Sequence, residues 1–405
     1  MEHHTMTMPL SGVRVLDLTQ VLAGPFGSRT LADLGAEVIK VESPGVGDST
    51  RRSLAFALNG ESFYFLGMNR NKKGITLNLK SPRGQHIFHE LARKSDVVFS
   101  NFRPGVVAEL GIDYQTLRKV NPRIICCAIS GFGSTGPEAD RPAFDPILQG
   151  MGGVMSMTGE PGGRPMMVGF PIADLVGGHV AIQGIMAALY ARERTGEGQE
   201  IDISLFDVQL HLQGHIGQYY LASGEVLEPL GSYLHINVPA GSFRTRSGYI
   251  IVSCSTQKFY ENLVPVLSQI EGFGFLASDT RFTLNVDRVK HKTELIDILE
   301  RAFQTRTTEE WLPILAAADV PAGPVLTIDQ ALGSPQAQHR HMVVEAEHPV
   351  AGTYKMAGNP VKMSQIQEET FLPAPMLGQH TEEVLSNLLG YTTAQVIALR
   401  KDGVV

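Results

Sequence analysis

Cysteine is scarce in this chain, with three among 405 residues, at Cys126, Cys127 and Cys254. So sparse and odd a set excludes a disulfide framework and fits a reducing compartment. Basic charge is not in surplus either: 34 Lys and Arg face 41 Asp and Glu, for a net charge of −7. That balance excludes a broad nucleic-acid track and gives no attraction to an anionic membrane surface. No run approaches about 18 consecutive apolar residues, so no membrane-spanning helix is expected. The opening Met1 to Met8, with His3 and His4, has no basic stretch followed by an apolar one. It reads as a leader without a targeting signal, and the expectation is a soluble, cytoplasmic protein.

Several site signatures are also missing. There is no G-x-x-x-x-G-K-[ST] loop for phosphates and no G-x-G-x-x-G after the first strand pattern, which argues against NAD. Neither H-E-x-x-H nor a cysteine–histidine cluster occurs, so no metal site is expected. The absence of G-x-S-x-G removes the simplest serine hydrolase. Cys126 and Cys127 lie in a strand pattern and point to opposite faces, as buried structural residues rather than a metal pair. His339-Arg340-His341 reads as a polar turn, and Trp311 as a helix-packing anchor.

What is present is a large α/β pattern. At 405 residues, with 43% hydrophobic and 19% charged residues, the chain can hold two or three domains around large cores. Val13–Leu18 reads as a buried strand, followed by a helix to Leu34 that stops at Gly35. Glu37–Glu42, Gly74–Leu79, Asp96–Ser100 and Arg123–Ser130 continue the strands, and Ser81-Pro82 opens a helix. Such alternation implies right-handed crossovers and a mainly parallel, Rossmann-like sheet. A helix over Val180–Arg194, a strand at Glu200–Ser204 and a helix through Asp207–Tyr220 follow. The character changes near Ser223. A hairpin around Arg246-Ser247-Gly248 and helices near 257–270, 289–304 and 307–318 predict a smaller α+β domain at 225–330. Residues 9–224 and 331–405 form the large domain. The proline-bearing segment after 330 reads as an extended crossing that ends in a helix over Thr381–Leu389.

Asp174, in Pro171-Ile172-Ala173-Asp174-Leu175-Val176-Gly177-Gly178, is the leading candidate for chemistry. Placed as the cap of the helix that follows, it would stay ionised by the unpaired N–H groups and the helix dipole. The same place suits a carboxylate nucleophile reached past small neighbours. Arg70, Lys72 and Lys73 precede one strand, and Lys80 stands where that strand meets a helix start, a setting in which phosphates settle. Asn101-Phe102-Arg103-Pro104-Gly105 repeats the arrangement at the next strand end.

These segments, taken in order, resemble the class III CoA-transferases, the CaiB–BaiF family. The likeness spans residues 9–405 and rests on Leu16-Asp17-Leu18-Thr19, Gly35 to Glu42, Asn71-Lys72-Lys73 and Asn101 to Gly105. It continues through Gly131-Phe132-Gly133, Arg194 to Gln199, Val320 to Val325 and Leu377 to Thr381. The resemblance implies that Asp174 attacks an acyl-CoA donor and passes through an aspartyl anhydride and an aspartyl-CoA thioester. It implies a CoA site at Leu77, Asn78, Leu79 and Lys80, at Asn101, Phe102 and Arg103, and at Phe144 and Asp145. Leu22 falls where formyl-CoA transferases have an active-site glutamine, which speaks against oxalate or formate. Coenzyme A is then a substrate, with no permanently bound cofactor. The nearest match is to succinyl-CoA-dependent transferases acting on dicarboxylates such as malate, citramalate, itaconate or glutarate. Arg51, Arg52 and His235 are candidates for the distal carboxylate. The family also implies an interlocked homodimer, and a homologous second subunit in some members. Two rivals remain: an α-methylacyl-CoA racemase, whose histidine position is Phe144 here, and a non-catalytic CoA-binding subunit.

Overall fold

A computed structural model describes residues 8–366 and 371–405. His3 and His4 lie outside the described residues. The chain divides into two units. The larger holds the residues up to Val154, Met167–Gly224 and Pro335–Val405, and the smaller holds Met155–Met166 and Glu225–Ser334. The smaller unit thus takes in a short piece, Met155–Met166, that lies upstream of the main break in the sequence.

Six strands build the large unit: β1 (Arg14–Asp17), β2 (Glu37–Glu42), β3 (Lys72–Thr76), β4 (Val97–Ser100), β5 (Ile125–Ser130) and β6 (Glu200–Ser204). All pair in parallel, in the order β3-β2-β1-β4-β5-β6. This is the doubly wound order, in which chain direction across the sheet reverses between β1 and β4. The alternation of side chains then fixes two cores. Leu16, Ile39, Ile75 and Val98 face one layer, which also takes Ile87, Phe88 and Leu91 from α2 (Pro82–Arg93). Val384, Leu385, Val396 and Leu399, from helices Thr381–Leu389 and Thr393–Lys401, complete that layer. Val15, Val38, Val97 and Phe99 face the other layer with Leu31 of α1 (Ala23–Asp33). Each such fully buried side chain contributes roughly 1.5–3 kcal/mol. Cys126 packs on the first layer and Cys127 in the second, and all three cysteines are free thiols.

The helix predicted from Val180 starts eight residues earlier. It runs from Ile172 to Thr195 and ends on Gly196, whose φ of +77° closes the last turn. By length and composition this helix could cross a membrane. Its apolar content is accounted for by burial, because Ala181, Ile182, Ile185 and Ala188 all lie in the second core layer. The segment after 330 also departs from the reading as an extended crossing. It forms an antiparallel hairpin, Val343–His348 against Gly352–Ala357, before the two C-terminal helices, the second of which was not foreseen.

In the smaller unit, Ala240–Arg244, Tyr249–Ser253 and Ala322–Pro324 make a three-stranded antiparallel sheet. Helices Gln257–Ser268, Lys292–Phe303 and Thr308–Ala317 accompany it, the last opened by a Thr307–Glu310 capping box. Trp311 is buried there, edge-on to Phe303 and donating its ring N–H to the Phe303 carbonyl at 2.8 Å.

Candidate active site

In open α/β sheets, ligands bind beyond the carboxyl ends of the strands where the order reverses. Here that crevice is bounded by the loop after β1, Leu18 to Leu22, and the turn after β4. Asn101 ties the two together: its Oδ1 accepts from the Gln20 N–H at 2.8 Å and its Nδ2 donates to the Gln20 carbonyl at 2.7 Å. Between these anchors Val21 takes a φ of +69°. A β-branched residue pays a steric cost in that left-handed region, of order 1–3 kcal/mol, and holds it only where its surroundings dictate it.

A buried ionic network supplies the constraint. Asp17, at the end of β1, accepts from the N–H and hydroxyl of Thr19 at 2.9 and 2.5 Å, from Ser28 at 2.6 Å and from the Lys72 ammonium at 3.0 Å. Lys40, in the middle of β2, donates to the Thr19 carbonyl at 2.8 Å and to Asp48 at 3.0 Å. Asp48 in turn accepts from the Val21 N–H, with both oxygens 3.3 Å away. Burial alone would raise the Asp17 pKa, but Lys72, then Lys40, and the Ser28 and Thr19 hydroxyls hold it below the ordinary value. Burial pushes the Lys72 ammonium down to about 8.

These bonds correct the reading of the basic cluster as a ligand cradle. Lys72 is spent on Asp17, Arg70 forms a two-pronged pair with Asp33 at 3.0 and 2.6 Å, and Lys73 pairs with Glu37 and Glu383. Arg51 is likewise committed: it grips Glu42 at 2.8 and 2.7 Å and stacks on Phe65 at 3.6 Å. Its Nε and Nη2 are thereby engaged within the protein. Arg52 is exposed and donates to the Val46 carbonyl, and His235 belongs to the smaller unit.

Helix α3 (Asp145–Met151) precedes α4 (Ile172–Thr195) in the chain, and Asp174 stands on the first turn of α4. It is not the cap. Pro171 occupies that position, without a side-chain bond, and Asp174 is the third helical residue. The capping carboxylate comes instead from Asp145, whose Oδ1 accepts from the Ala173 N–H at 2.7 Å and from the Asp174 N–H at 3.4 Å. The expected ionising influence on Asp174 is therefore reversed. Burial, followed by the negative charge of Asp145, pushes its carboxyl up to about 7. Asp174 remains half-buried, with a path to solvent.

The glycines after Asp174 serve packing rather than substrate access. A Cβ on Gly177 would lie 2.1 Å from Leu205 Cδ2, and one on Gly178 would lie 2.5 Å from the Ala23 carbonyl oxygen. Gly27 faces the Gly178 carbonyl in the same way at 3.0 Å. The two helices thus meet backbone to backbone, which brings the start of α4 against the start of α1 at the end of β1. Gly178→Ala should destabilise the protein by about 1–3 kcal/mol through overpacking. Urea unfolding measures this, with a lowered midpoint expected at unchanged slope.

The remaining residues singled out in the sequence divide between core and surface. Leu22, Leu77 and Leu79 are buried. Asn78 donates to the Gly403 carbonyl at 3.3 Å and accepts from the Lys80 N–H, while the Lys80 side chain is exposed beside the Ser81 cap of α2. Phe102 packs on the first core layer and Arg103 is exposed. Phe144 is 66% exposed, whereas its neighbour Asp145 is turned inward with both oxygens engaged. Sequence reading missed Tyr64, whose hydroxyl is pushed up to about 12 by burial and then by the charges of Asp174, Asp48 and Asp145. It follows a Ser62 helix cap, but nothing in Glu61-Ser62-Phe63-Tyr64 marks a site. Among the described residues no group of acidic, histidine or cysteine side chains is arranged to hold a metal.

Comparison with known proteins identifies the family. The model of CoA-transferase family III matches residues 10–381. A mouse protein named succinyl-CoA:glutarate CoA-transferase is 38% identical over 397 residues, covering 98% of this chain and 90% of the relative. An Acetobacter aceti protein named acetyl-CoA:oxalate CoA-transferase is 40% identical over 373 residues, covering 92% of this chain and 93% of the relative. The crystal structure of a CaiB/BaiF family protein from Brucella suis superposes with a TM-score of 0.81 at 34% identity, over 95% of this chain and 100% of that one. The chain is a CoA-transferase, a member of CoA-transferase family III.

Proposed function

We propose that this enzyme moves CoA from an acyl-CoA donor, succinyl-CoA in the first instance, to a small dicarboxylic acid, with Asp174 as the covalent nucleophile. What carries the reading is the placement of Asp174: half-buried on the first turn of a helix whose start packs against the start of α1, with a carboxyl pushed up to about 7. A carboxylate held out of water beside a second negative charge is a stronger nucleophile than a solvated one. Asp174 attacks the donor carbonyl, giving an aspartyl anhydride and CoA thiolate. The thiolate then attacks the aspartyl carbonyl, giving aspartyl-CoA and the free donor acid. The acceptor carboxylate displaces CoA to form a second anhydride, and the thiolate takes the acceptor acyl group, restoring Asp174.

The mouse relative's name supports a dicarboxylate acceptor, and that of the Acetobacter relative keeps oxalate among the acids to test despite Leu22. Racemisation is disfavoured because Phe144 has no proton to exchange. An interlocked homodimer in the cytoplasm, without a permanently bound cofactor, completes the proposal. An acceptor screen with succinyl-CoA tests it. Transfer to at least one dicarboxylic acid is expected, and α-proton exchange without CoA transfer would refute it.

The pKa shift has two consequences. Because the ionised form attacks, kcat should fall about tenfold per pH unit below about 7. For stability, the folded pKa lies above the ordinary 3.8, so folding favours the protonated form. The destabilisation is absent below 3.8, grows between 3.8 and about 7, and is complete above that. Asp174→Asn should therefore raise the melting temperature at pH 8 and leave it nearly unchanged at pH 4, as thermal melts would record.

A further inference from the structure

Helix α4 begins without a local cap. Pro171 has no N–H and no side-chain acceptor, so the first-turn donors depend on a partner from elsewhere. That partner is Asp145, 28 positions away from Ala173 and only 6% exposed. Its second oxygen accepts from Gln149 Nε2 at 2.6 Å, and Gln149 Oε1 accepts from the Val168 N–H at 2.9 Å. Gln149 is itself 1% exposed. One continuous set of bonds thus runs from the irregular segment leading into α4, through two buried side chains of α3, to the backbone N–H of Asp174 itself.

We propose that Asp145 and Gln149 are positioning residues of the transfer reaction, a clamp that aims the Asp174 carboxyl from a neighbouring helix. A local serine or aspartate cap would have satisfied the same N–H groups and fixed the helix only to its own loop. A cap delivered by α3 fixes the first turn relative to α3, and it does so with a negative charge beside the reacting carboxylate. Such a charge opposes the free carboxylate and no longer opposes it once Asp174 is acylated and neutral. The clamp therefore favours the acylated enzyme as well as its geometry. Among the described residues, Asp145 is the charge that acts on Asp174, and the Tyr64 hydroxyl, which feels the Asp174 charge in turn, is neutral over the working pH range.

The inference rests on Asp174 being the nucleophile, and the test separates the two. Asp145→Asn retains an acceptor for the Ala173 N–H and removes the charge. With succinyl-CoA and glutarate, the acid limb of the kcat profile should move at least about one pH unit lower, with kcat at pH 8 down about tenfold and KM for the acyl-CoA little changed. Should that variant fail to fold, Gln149→Met keeps the volume and removes the relay, and a fall in kcat of about threefold or more at constant KM is expected. An unmoved limb and unchanged kcat in Asp145→Asn, or unchanged kcat in Gln149→Met, would overturn the clamp while leaving Asp174 as nucleophile. Full activity in Asp174→Ala would instead overturn the covalent mechanism beneath it.

Discussion

Replacing Asp174 with alanine should lower CoA transfer by at least about a thousandfold, because removing a covalent nucleophile leaves only binding and positioning. The loss should be confined to kcat, since Asp174 contributes little to holding the CoA portion of the donor. The fold should survive. Asp174 makes no side-chain bond that builds the helix start, and the capping bonds come from Asp145. Above pH 7 the alanine variant should melt higher than the native chain, because an unfavourable buried charge has gone. Lost activity with raised stability would distinguish a reacting carboxylate from a structural one. Lost activity with lowered stability would point to a structural role.

The second large effect is expected at Lys72. Its ammonium is 3.0 Å from Asp17, and neither side chain is exposed. Lys72→Met would leave the Asp17 carboxylate buried with its principal counter-charge removed, a change that costs about 3–5 kcal/mol. The consequence should reach the site, because Asp17 also fixes Thr19, and Thr19 lies in the loop that carries Val21 in its strained conformation. Chemical denaturation should show the stability loss, and KM for the acyl-CoA should rise. Combining it with Asp17→Asn should recover part of the stability, since a neutral pair leaves no unpaired charge. If Lys72→Met were as stable as the native chain, the network could not be what holds the loop.

The sheet was legible because its signals are local. Glu37–Glu42 and Glu200–Ser204 alternate or run apolar between turn residues, and both were predicted to the residue. Ser81-Pro82 carries its own helix start, and Thr381–Leu389 its own amphipathic period. The start of α4 was not legible, because its cap is not local. Nothing near Pro171 announces that an aspartate 28 positions from Ala173 will satisfy its N–H groups. For that reason Asp174 was assigned the cap that belongs to Asp145, and the direction of its ionisation was reversed. The basic cluster failed for the same reason: the carboxylates that neutralise Arg70, Lys72 and Arg51 are distant in sequence or lie on neighbouring strands. Gly177 and Gly178 were read as small neighbours that leave Asp174 approachable, when they are room for Leu205 and for the backbone of α1. Segment order identified the family, but it could not say which charged groups the fold would consume.

The covalent mechanism makes a prediction about oxygen atoms. Each passage through the second anhydride leaves one carboxylate oxygen of the acceptor on Asp174, and because the two aspartate oxygens are equivalent, later cycles pass it to departing donor acid. Enzyme turned over with succinyl-CoA and an acceptor labelled with ¹⁸O in both carboxylates, then digested and analysed by mass spectrometry, should carry the label in the peptide containing Asp174. Succinate released in later turnovers should carry it too. Label found only in the acyl-CoA product and residual acceptor, with Asp174 unlabelled after many turnovers, would show that no anhydride forms on this residue.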